Sequence, residues 1–236
     1  MKRFLIACLL GVSAVGAISA AETPNTLTSK ERAEGWKLLF DGRTLQGWHG
    51  YLSETIPDGW TVADGVIALA GKEGGDIVTL NEYENFDFKF ECKISPKGNS
   101  GVLYLVNESP ELERTYYSGP EYQVLDNNGH PDAKNGPDRL AGADYALYAP
   151  VKDVTRPVGE WNQGRIVKQG AHVEHWLNGE KVVEYELWSP DWEAKVKASK
   201  FKDWPNYGRA KRGHLALQGD HNGSLAFRNI RIRELK

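Results

Sequence analysis

The chain has 236 residues, 40% of them hydrophobic, and carries 29 basic against 32 acidic side chains for a net charge of −3. That length can bury a core without covalent staples, and a mildly acidic balance leaves no electrostatic footprint for nucleic acid or an anionic membrane surface. Eight Trp and ten Tyr against one Met supply flat amphipathic rings, which suit strands and also the C–H faces of sugars.

Met1-Lys2-Arg3, an apolar run to about Ile18 and the small residues Ser19-Ala20-Ala21 have the layout of a secretory signal peptide. The run is shorter than the roughly 20 apolar residues of a membrane span. Residues 1–21 are therefore expected to be cleaved near Ala20/Ala21 and the chain exported to the periplasm or outside the cell. No other segment reads as a membrane span. Cys92 is then the single cysteine, a buried thiol in an alternating strand, and no internal disulfide forms. Residues 22–34 read as a loose polar segment and residues 35–236 as one domain.

Trp36 to Phe40 reads as a first strand, closed by Asp41-Gly42. Asp64-Gly65 joins strands at Trp60–Val62 and Val66–Leu69, and Asn178-Gly179 joins Ala171–Leu177 to Lys181–Glu186; both pairs suit the positive φ angles of a two-residue hairpin turn. Ile77–Leu80 is a further short strand. Phe86 to Ile94 alternates apolar and polar residues, the pattern of a half-buried strand. Val102–Val106, Glu121–Leu125, Gly164–Gln169, Gly213–Gln218 and Ser224–Arg233 complete the strands. Pro190 to Phe201 has helix composition, with Asp191 as its expected cap. Residues 126–144, rich in Asn, Gly, Pro and Asp, form a long loop of the kind that carries function. Many short strands with frequent turns and one short helix near residues 190–201 predict an all-β sandwich of two antiparallel sheets.

Glu121 and Gln123 sit one residue apart on a strand, so their side chains share a face while Tyr122 and Val124 point to the core. Asp126, five residues beyond Glu121, falls on the opposite face of a regular strand. A carboxylate pair for direct glycoside hydrolysis is therefore not expected from this strand. His172 and His175 have opposite parity, and parity alone leaves open which one faces a groove. His221 lies in the polar insertion Gln218-Gly219-Asp220-His221 and His130 in the long loop; the six His show no zinc-site spacing.

Several blocks in register resemble the 3-keto-disaccharide hydrolase family. They are Gly35-Trp36-Lys37-Leu38-Leu39-Phe40-Asp41-Gly42, Trp60-Thr61-Val62-Ala63-Asp64-Gly65, Gly98-Asn99-Ser100-Gly101-Val102, Glu121-Tyr122-Gln123-Val124-Leu125-Asp126, Gly159-Glu160-Trp161-Asn162, Leu177-Asn178-Gly179, Leu217-Gln218 and Phe227-Arg228-Asn229-Ile230. Leu105 stands where many members have Arg, and Leu217-Gln218-Gly219-Asp220-His221 replaces a more compact Leu-Gln-Asp-His-Gly. The resemblance implies a concanavalin-like jelly roll that cleaves glycosides oxidised at C3. The ketone acidifies the C2 proton, a base removes it, the C1 oxygen leaves by elimination, and water adds back. Glu121 and His175 are the expected catalytic residues, with either Glu121 or a groove-facing His175 as the base. Asn99, Gln123, Tyr145, Asn178, Gln218 and His221 are the expected substrate-binding residues. The reading admits a divalent metal ion on Glu121, His175 and His221, and no organic cofactor. Two competing readings are a non-catalytic, lectin-like carbohydrate-binding domain and an ordinary glycoside hydrolase.

Overall fold

A computed structural model describes residues 23–70, 74–221 and 223–236; the expected signal peptide lies outside them. The strands in chain order are β1 (Lys37–Leu38), β2 (Trp48–Gly50), β3 (Trp60–Ala63), β4 (Val66–Ala70), β5 (Ile77–Thr79), β6 (Phe86–Ile94), β7 (Asn99–Val106), β8 (Glu121–Leu125), β9 (Asn162–Gln169), β10 (His172–Leu177), β11 (Glu180–Glu186), β12 (His214–Leu217) and β13 (Ser224–Glu234). Helix α1 (Ser29–Ala33) precedes them, and α2 (Pro190–Ala198) lies between β11 and β12. No helix among the described residues is long and apolar enough to cross a membrane.

The strands form two antiparallel sheets of a jelly-roll sandwich. One runs β11-β10-β9-β6-β13-β4-β3, with β1 also paired to β13, and the other runs β2-β5-β12-β7-β8. Alternation places the core: Phe86, Phe88, Phe90 and Cys92 of β6 point inward and meet Ile166, Val173, Tyr122 and Phe227. Both dipeptide turns form as expected, with φ of 51° and 73° at Asp64-Gly65 and 50° and 85° at Asn178-Gly179.

Strand β7 is buried on both faces along its whole length. One face belongs to the inter-sheet core. The other is roofed by the segment after β7 and the chain around α2, over an apolar floor of Val78, Leu103, Val106 and Ala216 with Tyr51 and Tyr116 packed on it. The five-stranded sheet thus has a covered outer face where an ordinary solvated one would be polar.

Several expectations change. Trp48–Gly50 is a strand that the pattern did not reveal. Ser189, not Asp191, caps α2: its side chain accepts from Trp192 N, and Pro190 occupies the first turn. The segment read as loose holds α1, closed by the capping box of Thr28 and Glu31, and is tied down by Asn25. Asn25 exchanges backbone-to-side-chain bonds with Asn229 (2.6 and 2.8 Å) and donates to Gly65 O (2.8 Å). The long loop is ordered into two 3₁₀ turns, Pro131–Asn135 and Pro137–Arg139.

Candidate active site

The register of β7 against β8 assembles the centre. Gly101 lies opposite Gln123 and Leu103 opposite Glu121, and cross-strand partners share a face. Gln218 joins from the end of β12, its N–H bonding Gly101 O at 2.9 Å. Asn99 lies two residues before Gly101 on the same face. Glu121's carboxyl leans over Gly101: a Cβ at position 101 would stand 2.2 Å from Glu121 Oε1. The missing side chain at Gly101 is therefore the seat of the carboxylate.

The seat is polar but under-bonded. Asn99 Oδ1, Gln123 Oε1 and Gln218 Oε1 are buried with no hydrogen-bond partner among the described residues. Buried polar atoms normally find partners, so a cluster of unpaired ones on a single face marks a ligand site. Glu121 is 7% exposed. Burial pushes its carboxyl up to about 8; Lys200 opposes the rise, while Asp220, Asp76 and Asp144 add to it.

Asp76, Asp220 and Lys200 were missed in the sequence because they come from other parts of the fold. Asp76 precedes β5 and accepts from Gly219 N at 2.9 Å and from Thr115 Oγ1; burial, then Asp220's charge, pushes it up to about 6. Spacing along β8 argues against a carboxylate pair, yet the sheet gathers Asp76 and Asp220 around Glu121 from β5 and from the segment after β12. Lys200 follows α2, its ammonium 4.3 Å from the centre of Tyr145's ring. The signals available were Asp76's parity with Val78 and the polar insertion that holds Asp220.

The expected site residues divide. Glu121, Gln123, Asn99 and Gln218 converge. Tyr145 joins them: its N–H bonds Glu121 O at 3.0 Å and its hydroxyl donates to Asp132 at 3.0 Å. His221, partly exposed beside Asp220 (3.4 Å), stands at the rim.

His175 does not face a groove. It is fully buried between the sheets, with Nε2 2.9 Å from Tyr104's hydroxyl and Nδ1 3.1 Å from Gly142 O. Burial, opposed by the bonds to the 142–143 backbone, holds it down at about 4. The parity it shares with Val173 and Leu177 proves to be core parity. Asn178 is also remote, its side chain pinned in the β10–β11 turn by Gln163 N, Val154 O and Asn162 Oδ1. Asp126 is a loop anchor: burial works against its ionisation, but the Lys97, Gly129 and Asn128 N–H groups hold it below the usual carboxylate range.

A metal on Glu121, His175 and His221 does not fit, because His175 points into the core. Among the described residues, the group with metal-ligand geometry is His172, Glu174 and Glu184, on the outer face of the eight-stranded sheet. There Lys181 already pairs with both carboxylates, at 3.2 and 2.7 Å. A cavity of about 570 Å³ beside β8 is lined by Tyr122, Gln123 and Val124, with Cys92, Ile94 and Leu177; Glu121 is not among its lining residues.

Residues 35–233 match the 3-keto-alpha-glucoside-1,2-lyase-like domain. A protein of Bacteroides thetaiotaomicron named 3-keto-disaccharide hydrolase is 37% identical over 254 residues, covering 96% of this chain and 87% of its own. A crystal structure of a candidate glycosyl hydrolase from Parabacteroides distasonis superposes with a TM-score of 0.85 at 38% identity, covering 91% of this chain and all of that one. A second from the same organism gives 0.68 at 31% identity, over 85% and 99%. With the jelly roll and the polar centre at Glu121 in place, these matches make the chain a member of the 3-keto-alpha-glucoside-1,2-lyase-like domain family.

Proposed function

We propose that this protein is a carbohydrate-cleaving enzyme that acts on glycosides oxidised at C3, by elimination followed by hydration. The observation that carries the reading is Glu121's buried carboxyl, seated over Gly101 among the amides of Asn99, Gln123 and Gln218. A carboxyl held near pH 8 is a stronger base than an ordinary one. Glu121 removes the C2 proton; the C–H electron pair becomes the second bond of a C2–C3 double bond, and the π pair of the C3 carbonyl moves onto the C3 oxygen, giving an enolate. Lys200's ammonium offsets that charge, while the unpaired amide oxygens of Asn99, Gln123 and Gln218 accept from the sugar's hydroxyls. The enolate then collapses, restores the C3 carbonyl, forms the C1–C2 double bond and expels the C1 oxygen, which takes the proton that Glu121 carries. Water adding at C1 gives the free 3-keto sugar.

Asp76 and Asp220 near Glu121 support a second reading, direct hydrolysis by carboxylates, and isotopes separate the two. Elimination breaks the C2–H bond, so deuterium at C2 of a 3-keto-glucoside slows turnover and the unoxidised glucoside is inert. Turnover of the unoxidised glucoside, with no isotope effect, would establish hydrolysis instead. The pH profile gives an independent sign: with Glu121 as base, kcat/KM rises as pH approaches about 8 and then levels, whereas Glu121 as acid makes it fall through the same range. Glu121→Gln is expected to lose about 10²–10⁴-fold in kcat.

Residues 1–21 support export of the chain in this reading. N-terminal sequencing of the protein purified from its source should begin near Glu22; a retained Met1 would overturn export by cleavage.

A further inference from the structure

Beside the Glu121 centre stands a wall of aromatic rings with no part in the proton chemistry. Thr115's hydroxyl donates to Asp76, Asp76 accepts from Gly219 N at 2.9 Å, and Gly219 follows Gln218. This chain of bonds fixes Tyr116 next to the polar centre. Tyr116 is only partly buried, lies in the field of Asp220 and Asp76, and rests on the apolar floor of Val78, Leu103 and Ala216. Trp204 faces it at 5.8 Å with the planes 30° apart, and Tyr117 closes on Trp204 at 4.8 Å. Trp204 follows Lys200 by four residues, so one segment supplies both the cation near Glu121 and the second ring of the wall.

The groups gathered around the centre thus differ in chemistry: Lys200, Tyr145 and Asp132 supply charge and hydrogen bonds, whereas Tyr116 and Trp204 supply flat rings. A keto ring needs hydrogen bonds and positive charge at its carbonyl. The group departing from C1 needs no such donors, and a pyranose or aromatic group offers an apolar face that packs on aromatic rings.

We propose that Tyr116 and Trp204 form the leaving-group subsite, which makes the protein selective for glycosides whose leaving group is itself a sugar ring or an aromatic ring over those with a small alkyl group. The assignment rests on the glycosidic bond being cut at Glu121. The wall holds the leaving group alike in the ground state and the transition state, so specificity resides in the wall and chemistry in the amide-lined seat.

The test compares a 3-keto-disaccharide, with its ketone on the non-reducing ring, against methyl 3-keto-glucoside. Tyr116→Leu and Trp204→Leu keep apolar bulk and remove the flat rings; melting temperatures verify that both fold. Each is expected to lower kcat/KM for the disaccharide about tenfold, mainly through KM, and for the methyl glycoside less than about threefold. Equal losses on both substrates, or none, overturn the subsite. If the unaltered protein turns over neither keto sugar, the cleavage reading itself has failed. The wall is then judged by calorimetric titration with the unoxidised disaccharide: binding that Tyr116→Leu weakens supports the subsite, and binding that is absent or unchanged overturns it.

Discussion

Gly101 and Glu121 act as one unit, because the carboxyl fills the space a side chain at 101 would take. Gly101→Ala should therefore displace Glu121 while leaving the inter-sheet core untouched. We expect about a 10²-fold loss of kcat/KM, the usual scale for an ångström of misplacement, with little change in melting temperature. Glu121 also lowers stability. Its folded carboxyl is held near 8 against 4.5 unfolded, so the folded state keeps a proton that the unfolded state has released. That difference erodes stability as pH rises from about 4.5 to 8, and the whole cost is present above that window. Glu121→Gln should accordingly melt higher than the unaltered protein at pH 9 and converge with it near pH 4.5, as thermal scans across that range would show. Parity on β8 was enough to select Glu121 and Gln123 from sequence. It had nothing to say about Asp76 and Asp220, which reach the same seat through the order β5-β12-β7-β8, or about Lys200, which comes from the segment after α2.

At the scale of elements, the segment after β8 folds back along it. Gly142 N bonds Gln123 O (2.8 Å), Gln123 N bonds Ala143 O (3.1 Å) and Tyr145 N bonds Glu121 O (3.0 Å). His175 is the internal clasp of this segment, holding Gly142 O on one ring nitrogen and Tyr104's hydroxyl on the other. Both bonds are buried, so His175→Phe should destabilise the protein by about 2–4 kcal/mol in urea unfolding. His175 stays neutral down to about pH 4 in the fold against 6.5 when free. The unfolded chain therefore binds the extra proton, and stability falls as pH drops from about 6.5 to 4. The variant should lack that slope, measured as the difference between the two unfolding curves. The sequence pattern showed that one of His172 and His175 is inward. Whether inward meant groove or core depended on which sheet β10 joined, and residue spacing does not carry that information. The capping box Thr28-x-x-Glu31 was readable, but five helical residues without an apolar face left no periodicity to prompt the reading.

Across the whole molecule the chain ends fasten each other. Asn25 interlocks with Asn229, and Glu31 meets Arg231 at 2.7 Å, so the first described residues pin the bulge in β13, the strand between β6 and β4. A chain beginning at Gly35 should lose about 1–3 kcal/mol of stability, the scale of the buried bonds removed, and keep its turnover per folded molecule, since none of these contacts reaches Glu121. Fold class, both two-residue turns and the β6 alternation were legible because they are local; the roof over the five-stranded sheet was not, because it is built by segments distant in sequence.

The backbone bonds between residues 142–145 and β8 have a consequence beyond holding the seat in place. Strand β8 ends its sheet, and an open strand end is a template for joining other chains. Here the protein's own loop occupies that template. Weakening the clasp at His175 should thus announce itself first as self-association, visible as light scattering that grows with protein concentration at temperatures where the sandwich is still folded.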